Sequence, residues 1–247
     1  MRVIKGQSTK IARTMHGIAV DPIHDEFFVP NPFAQAILAF RGGADGEEAP
    51  IRIIQGPKTQ LTYTDTLAMD PIHNEIFVSQ RDTHKVLVFA RTATGDAAPI
   101  RVIQGPKTGL GHPARVAVDP ENNLLLVANG EENPGVLIFE RTANGNVAPK
   151  AVISGPKTGM KKLAALVVYP AGKKFIVGNS GSEGGFLVWS ETDEGDVPPE
   201  MIIRSSVKIN GRALALNPED QELIAKGGRG NGVVVFKVPE LFGGKSQ

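Results

Sequence analysis

His16, Asp65, Arg115 and Arg212 are the residues of this chain best suited to chemistry. A histidine and an aspartate converging at one place make a general acid–base pair, and two guanidinium groups beside them would hold an anionic substrate. Asn31, Gln80, Asn129 and Asn179 form a second set, amides at corresponding places that could bind a ligand or tie loop backbone. Lys58, Lys107 and Lys157 form a third. Each is the lysine of a Gly-Pro-Lys-Thr tetrapeptide, and cations repeated in this way suit an anionic or acidic partner. Zinc or calcium needs several histidines or acids converging, and only His16, Asp65 and His112 offer themselves, so neither metal nor cofactor is expected. His24 and His73 sit in copied Pro-Ile-His segments, where turn chemistry accounts for them. No nucleophile elbow, phosphate loop or His-Glu-x-x-His pattern occurs.

What must position these residues is a repeat. "APIRVIQGPKTGL" from Ala98 recurs as "APIRIIQGPKTQL" from Ala49, as "APKAVISGPKTGM" from Ala148 and in worn form as "PPEMIIRSSVKI" from Pro198. A truncated copy, "MRVIKGQSTKI", opens the chain. A period of about fifty residues filling a whole chain signals a repeat architecture. Each repeat reads as four short segments rich in Val, Ile and Phe, here strands a to d. The strand a copies lie at 17–21, 66–70, 115–119, 165–169 and 213–217. They are apolar with small residues at the centre, which suits the crowded innermost strand of a β-propeller. The expectation is an all-β chain: a single propeller domain over 1–247 with five blades of four antiparallel strands. Residues 2–6 match strand d and the last repeat lacks one. The N-terminal strand is therefore expected to complete the last blade and close the ring. An excerpt of a longer, six-bladed array is the other reading.

Strand a ending in Val-Asp-Pro, a strand b followed by Asn (Val127–Asn129, Val177–Asn179) and an apolar strand c resemble the NHL-repeat and YVTN-type bacterial propellers. The resemblance runs through every blade. It implies the fold and leaves the activity open, because related propellers include lyases, lactonases, protein-binding modules and RNA-binding modules.

Composition narrows the partners. The formal net charge is +1, but sorting residues by loop puts most lysines and arginines on the d–a and b–c side, the top, and most acids on the bottom. The leading expectation is a non-enzymatic binding or scaffold module that meets a protein or a small anionic ligand through its basic top loops. Weak head-to-tail self-association, basic top on acidic bottom, is a corollary. The first alternative is a lyase- or lactonase-like enzyme at the top of the central channel, built on His16 and Asp65. The second is an excerpted or engineered repeat with no ligand, since the near-identical copies fit recent duplication or design. Nucleic acid is disfavoured, because Phe33 and Tyr63 are the only top-loop aromatics and are not repeated. With no cysteine, disulfides and thiolate metal sites are excluded. No apolar run reaches the about 18 residues of a membrane span. As the chain stands a cytoplasmic location is expected, or a secreted or periplasmic one if a leader was removed.

Overall fold

The computed structural model describes residues 2–13, 17–64, 66–130, 134–179, 185–204, 209–227 and 232–243. Five antiparallel sheets follow one another along the chain as the blades of a propeller. Blade 1 holds β1 (Ala19–Asp21), β2 (Glu26–Asn31), β3 (Ala36–Arg41) and β4 (Arg52–Gln55). Blade 2 holds β5 (Leu67–Asp70), β6 (Glu75–Gln80), β7 (Lys85–Ala90) and β8 (Arg101–Gln104). Blade 3 holds β9 (Pro113–Asp119), β10 (Leu124–Asn129), β11 (Gly135–Glu140) and β12 (Ala151–Ser154). Blade 4 holds β13 (Leu163–Tyr169), β14 (Lys174–Asn179), β15 (Gly185–Ser190) and β16 (Met201–Arg204). Blade 5 holds β17 (Ile209–Asn217), β18 (Glu222–Gly227) and β19 (Val233–Lys237).

Local chemistry makes the hairpins. Between β1 and β2 the Asp21 carboxylate accepts the N–H groups of Ile23 and His24, both at 3.0 Å, and Asp70 repeats this with Ile72 and His73. Asp25, Asn74 and Asn123 then take positive φ (52°, 59° and 58°), which short polar side chains tolerate. Alternation along each strand gives every blade two apolar faces. One face, Phe28, Ile37 and Ala39 in blade 1, packs on the opposite face of the next blade, where Leu67, Met69, Ile76 and Leu87 wait. The same layer recurs between blades 2 and 3, 3 and 4, and 4 and 5. The innermost strands β1, β5, β9, β13 and β17 line up side by side in chain order.

The segment between strands c and d does not stay at the lower rim. It climbs the outer edge of the preceding blade, so that Ile54 bridges Gly95, Ile103 bridges Gly145 and Ile153 bridges Gly195, all parallel. The N-terminal segment takes the same place ahead of blade 1, with Ile4 bridging Gly46. The strand d register read from the sequence is therefore occupied. The ladder that was expected to join this segment to β19 is not formed among the described residues, where the last sheet has three strands. Among the described residues β17 does not pack on β1 as the other innermost strands pack on their neighbours.

Candidate functional site

The top rim carries three copies of one small device. After each strand d a Pro-Lys-Thr turn (Pro57–Thr59, Pro106–Thr108, Pro156–Thr158) follows a glycine with strongly positive φ. The threonine is buried. Its hydroxyl donates to the carbonyl of that glycine at 2.6–2.7 Å and accepts an N–H from two residues on. The backbone N–H of Lys58 donates to Asp96 Oδ1 at 2.7 Å, that of Lys107 to Asn146 Oδ1 at 2.8 Å and that of Lys157 to Asp196 Oδ1 at 2.7 Å. Only glycine fits before the turn: at Gly56, with φ 136°, a Cβ would lie 2.5 Å from Asp96 Oδ1. The three lysine side chains are exposed and, among the described residues, unpaired. Backbone position is fixed by the neighbouring blade while the ammonium groups remain free.

These bonds correct the sorting of charge by loop. Glu47, Asp96 and Asp196 belong to c–d segments, which sorting by loop puts on the bottom. Because those segments climb, Asp96 and Asp196 cap the lysine turns, and Glu47 accepts the Ser8 N–H in the equivalent place at 3.1 Å. The top rim is a row of lysines interleaved with acids, not a uniformly basic face. Beside the Lys107 turn an open hollow of about 460 Å³ is lined by Thr83, His84, Gln104, Gly105 and Pro106. Phe33 and Tyr63 meet edge to face above blades 1 and 2, with ring centres 6.2 Å apart.

The amide set clamps the d–a loops. Asn129 Oδ1 accepts the N–H groups of Gly111 and His112, and its amide donates to the Gly109 carbonyl at 2.9 Å. Asn179 does the same with Lys161, Lys162 and Gly159. Asn31 donates to the Lys10 carbonyl at 2.7 Å, and Gln80 binds Thr62 and Thr64. Of the axial set, His16 and Asp65 lie outside the described residues, as does the Arg212 side chain, whose backbone belongs to β17. Arg115 is half-buried on β9. It donates from Nε to the Ala164 carbonyl at 2.9 Å and from a terminal nitrogen to the Ala114 carbonyl, joining the innermost strands of blades 3 and 4.

Sequence reasoning missed the lower rim, where ionic nodes lock successive blades. Glu26 receives both terminal nitrogens of Arg52 from its own blade, at 2.9 and 2.6 Å, and Arg91 from blade 2 at 2.7 Å. Glu75 receives Arg101 at 2.6 and 2.8 Å and Arg141 from blade 3 at 2.5 Å. His24 and His73 complete the nodes through Asp21 and Asp70, each at 2.8 Å. The Arg52 hydrogen bonds hold Glu26 below its usual range, assisted by Arg91 and opposed by burial. At Glu75 burial pulls upward most, yet Arg101 and Arg141 together outweigh it and the carboxyl ends lowered. The signal was in the repeat, since Glu26 and Glu75, Arg52 and Arg101, and Arg91 and Arg141 are copies.

The third junction breaks the pattern. Leu124, Ala151 and Glu191 stand where the copies have glutamate and two arginines. Asp119 remains, fully buried and held by the Asn122 backbone and side chain, both at 2.8 Å. Glu191 is 7% exposed, and among the described residues neither of its carboxylate oxygens has a hydrogen-bond donor. Burial, then the neighbouring Asp119, pushes the Glu191 carboxyl up to about 9, with Lys173 pulling the other way. Elsewhere, burial lowers the Lys85 ammonium.

No family model matches this chain, and no curated protein does. Solved structures do. The chain is similar to one described as Kuenenia stuttgartiensis hydrazine synthase, at 14% identity and a TM-score of 0.65 over 92% of this chain and 65% of that one. It is also similar to a chain of a mitotic checkpoint complex, at 13% identity and a TM-score of 0.63 over 90% of this chain and 63% of that one. The chain spans less than two thirds of the length of either. At such identities the likeness shows the β-propeller fold and nothing finer.

Proposed function

We propose that this chain is a non-enzymatic binding or scaffold propeller, of the NHL- or YVTN-like kind its repeat resembles, that engages an acidic protein along its top rim. The observation that carries this reading is the triplet Lys58, Lys107 and Lys157. One exposed cation per blade rides on a turn whose backbone is fixed by the next blade. A rigid row loses less conformational freedom on binding than loose loops would. The interleaved carboxylates favour a partner with spaced negative charges, such as an acidic peptide, over a continuous phosphate backbone. Charge reversal of all three lysines tests the reading, with a polyglutamate peptide as probe. Binding to the parent chain at low salt and its loss in the Lys58→Glu, Lys107→Glu, Lys157→Glu variant are expected. Equal binding by both chains would sink it.

A further inference from the structure

The two end blades each show a sheet face that the interior blades bury. Val233 and Val235 of β19 are 68% and 52% exposed. Their copies in the other four blades, from Ile37 and Ala39 to Phe186 and Val188, are at most 3% exposed. At the other end Ile18 and Val20 are both 61% exposed, against 6–8% for Leu67, Met69, Val116 and Val118. Blade 5 thus presents the forward face of the repeat and blade 1 the backward face. These are the two halves of the layer that already joins blades four times within the chain.

Charge and strand edges match as well. Glu222 opens β18 where Glu26 and Glu75 open β2 and β6, but among the described residues its only cation is Lys237 at 3.9 Å. The cations its copies receive correspond to Arg2 and Arg41. These lie together at the blade 1 end: a Cβ added at Gly43 would meet both guanidinium groups, at 3.7 and 2.7 Å. Among the described residues Arg41 there makes its ion pair with Glu48, in a largely exposed bridge. β19 has no strand on its outer side among the described residues, and residues 2–6 have a strand d sequence without a strand c beside them.

We infer that blade 5 of one copy docks on blade 1 of a second copy. The second copy's N-terminal strand adds to β19, and its Arg2 and Arg41 close on Glu222. The contact is edgewise, blade on blade, and independent of the lysine rim. It joins two different surfaces, so each copy offers one of each and association runs head to tail.

Light scattering on the 247-residue chain at increasing concentration tests this. Masses of two copies and above are expected. Val233→Glu with Val235→Glu, and separately Ile18→Glu with Val20→Glu, should each give monomers, the association weakening more than about tenfold. Mixing the two monomeric variants restores one intact interface, so a 1:1 dimer that grows no further is the decisive expected result. Glu222→Arg should also dissociate the assembly and Arg41→Glu in the same chain should restore it, a readout that survives if the valine variants fold poorly. A parent chain that stays monomeric at all concentrations, whether closed on itself or open, overturns the proposal. So does a mixture that stays monomeric.

Discussion

The first two blade junctions and the third are built on the same repeat positions and hold themselves together differently. At the lower rim of the first two, Arg91 and Arg141 reach back to a glutamate that is also held by an arginine of its own blade. At the third, the corresponding residue is Glu191, and the glutamate and its own-blade arginine have given way to Leu124 and Ala151, which join the apolar layer between blades 3 and 4. Replacing a buried ionic node by apolar packing is often neutral, because the desolvation cost disappears with the attraction. Removing half a node is not. The third junction has exchanged most of its node but kept Asp119 and added a second acid beside it. A repeat fold permits such drift because each interface answers only to its two neighbours.

The largest effect should come from breaking an intact node. Arg141→Ala leaves Glu75 and Asp70 buried with one cation fewer, and a loss of about 3 kcal/mol is expected in denaturant unfolding. A change well under that size would mean that Arg101 alone suffices and that the junctions are more alike than their charges. Arg91→Ala should cost less, about 1–2 kcal/mol, because Arg91 is more open and Glu26 keeps its bidentate Arg52.

The third junction should differ in its pH response. Glu191 keeps its proton in the folded chain up to about 9, whereas the unfolded carboxyl releases it near 4.5. Between those values the folded state binds the extra proton. The associated stability is present in full below 4.5 and is lost as pH rises towards 9, at up to about 1.4 kcal/mol per pH unit. Glu26 and Glu75 are lowered, so they act in the opposite sense: their contribution is present above the ordinary carboxylate range and is lost as pH falls through their folded values. Glu191→Gln should therefore flatten the alkaline slope and leave the acid limb alone. Parallel curves for parent and variant from pH 5 to 9 would remove the distinction drawn here.

Much of this architecture was legible in the chain because a repeat states its period several times. The strand a copies, the five blades and the clamp-like asparagines all follow from aligned segments and hairpin chemistry. The climb of the c–d segment was not legible. Nothing in "RTATGDAAP" distinguishes a loop that stays at the lower rim from one that runs beside the preceding strand d, since the deciding bonds join residues about forty positions apart. Asp96 was therefore placed on the wrong side of the molecule. Glu191 was not legible for a related reason: the acid it lies beside, Asp119, belongs to blade 3 and stands about seventy positions away. The axial set rested on loop positions that lie partly outside the described residues, so Arg115 alone could be placed.

The smallest expected effect belongs to the arginine that has no blade behind it. Arg41 is the blade 1 copy of Arg91 and Arg141, yet among the described residues of one chain its hydrogen-bonded acid is Glu48, through two bonds of 2.6 Å at the surface. Water screens such a pair, and two side chains must be ordered to make it. In the Val233→Glu, Val235→Glu background, where docking is blocked, Arg41→Ala should leave the melting temperature unchanged. In the parent chain the same substitution should lower the apparent mass at a given concentration, because there Arg41 acts as its copies do. A clear loss of stability in the monomeric background would show that Arg41 belongs to its own blade and that the node at Glu222 needs another cation.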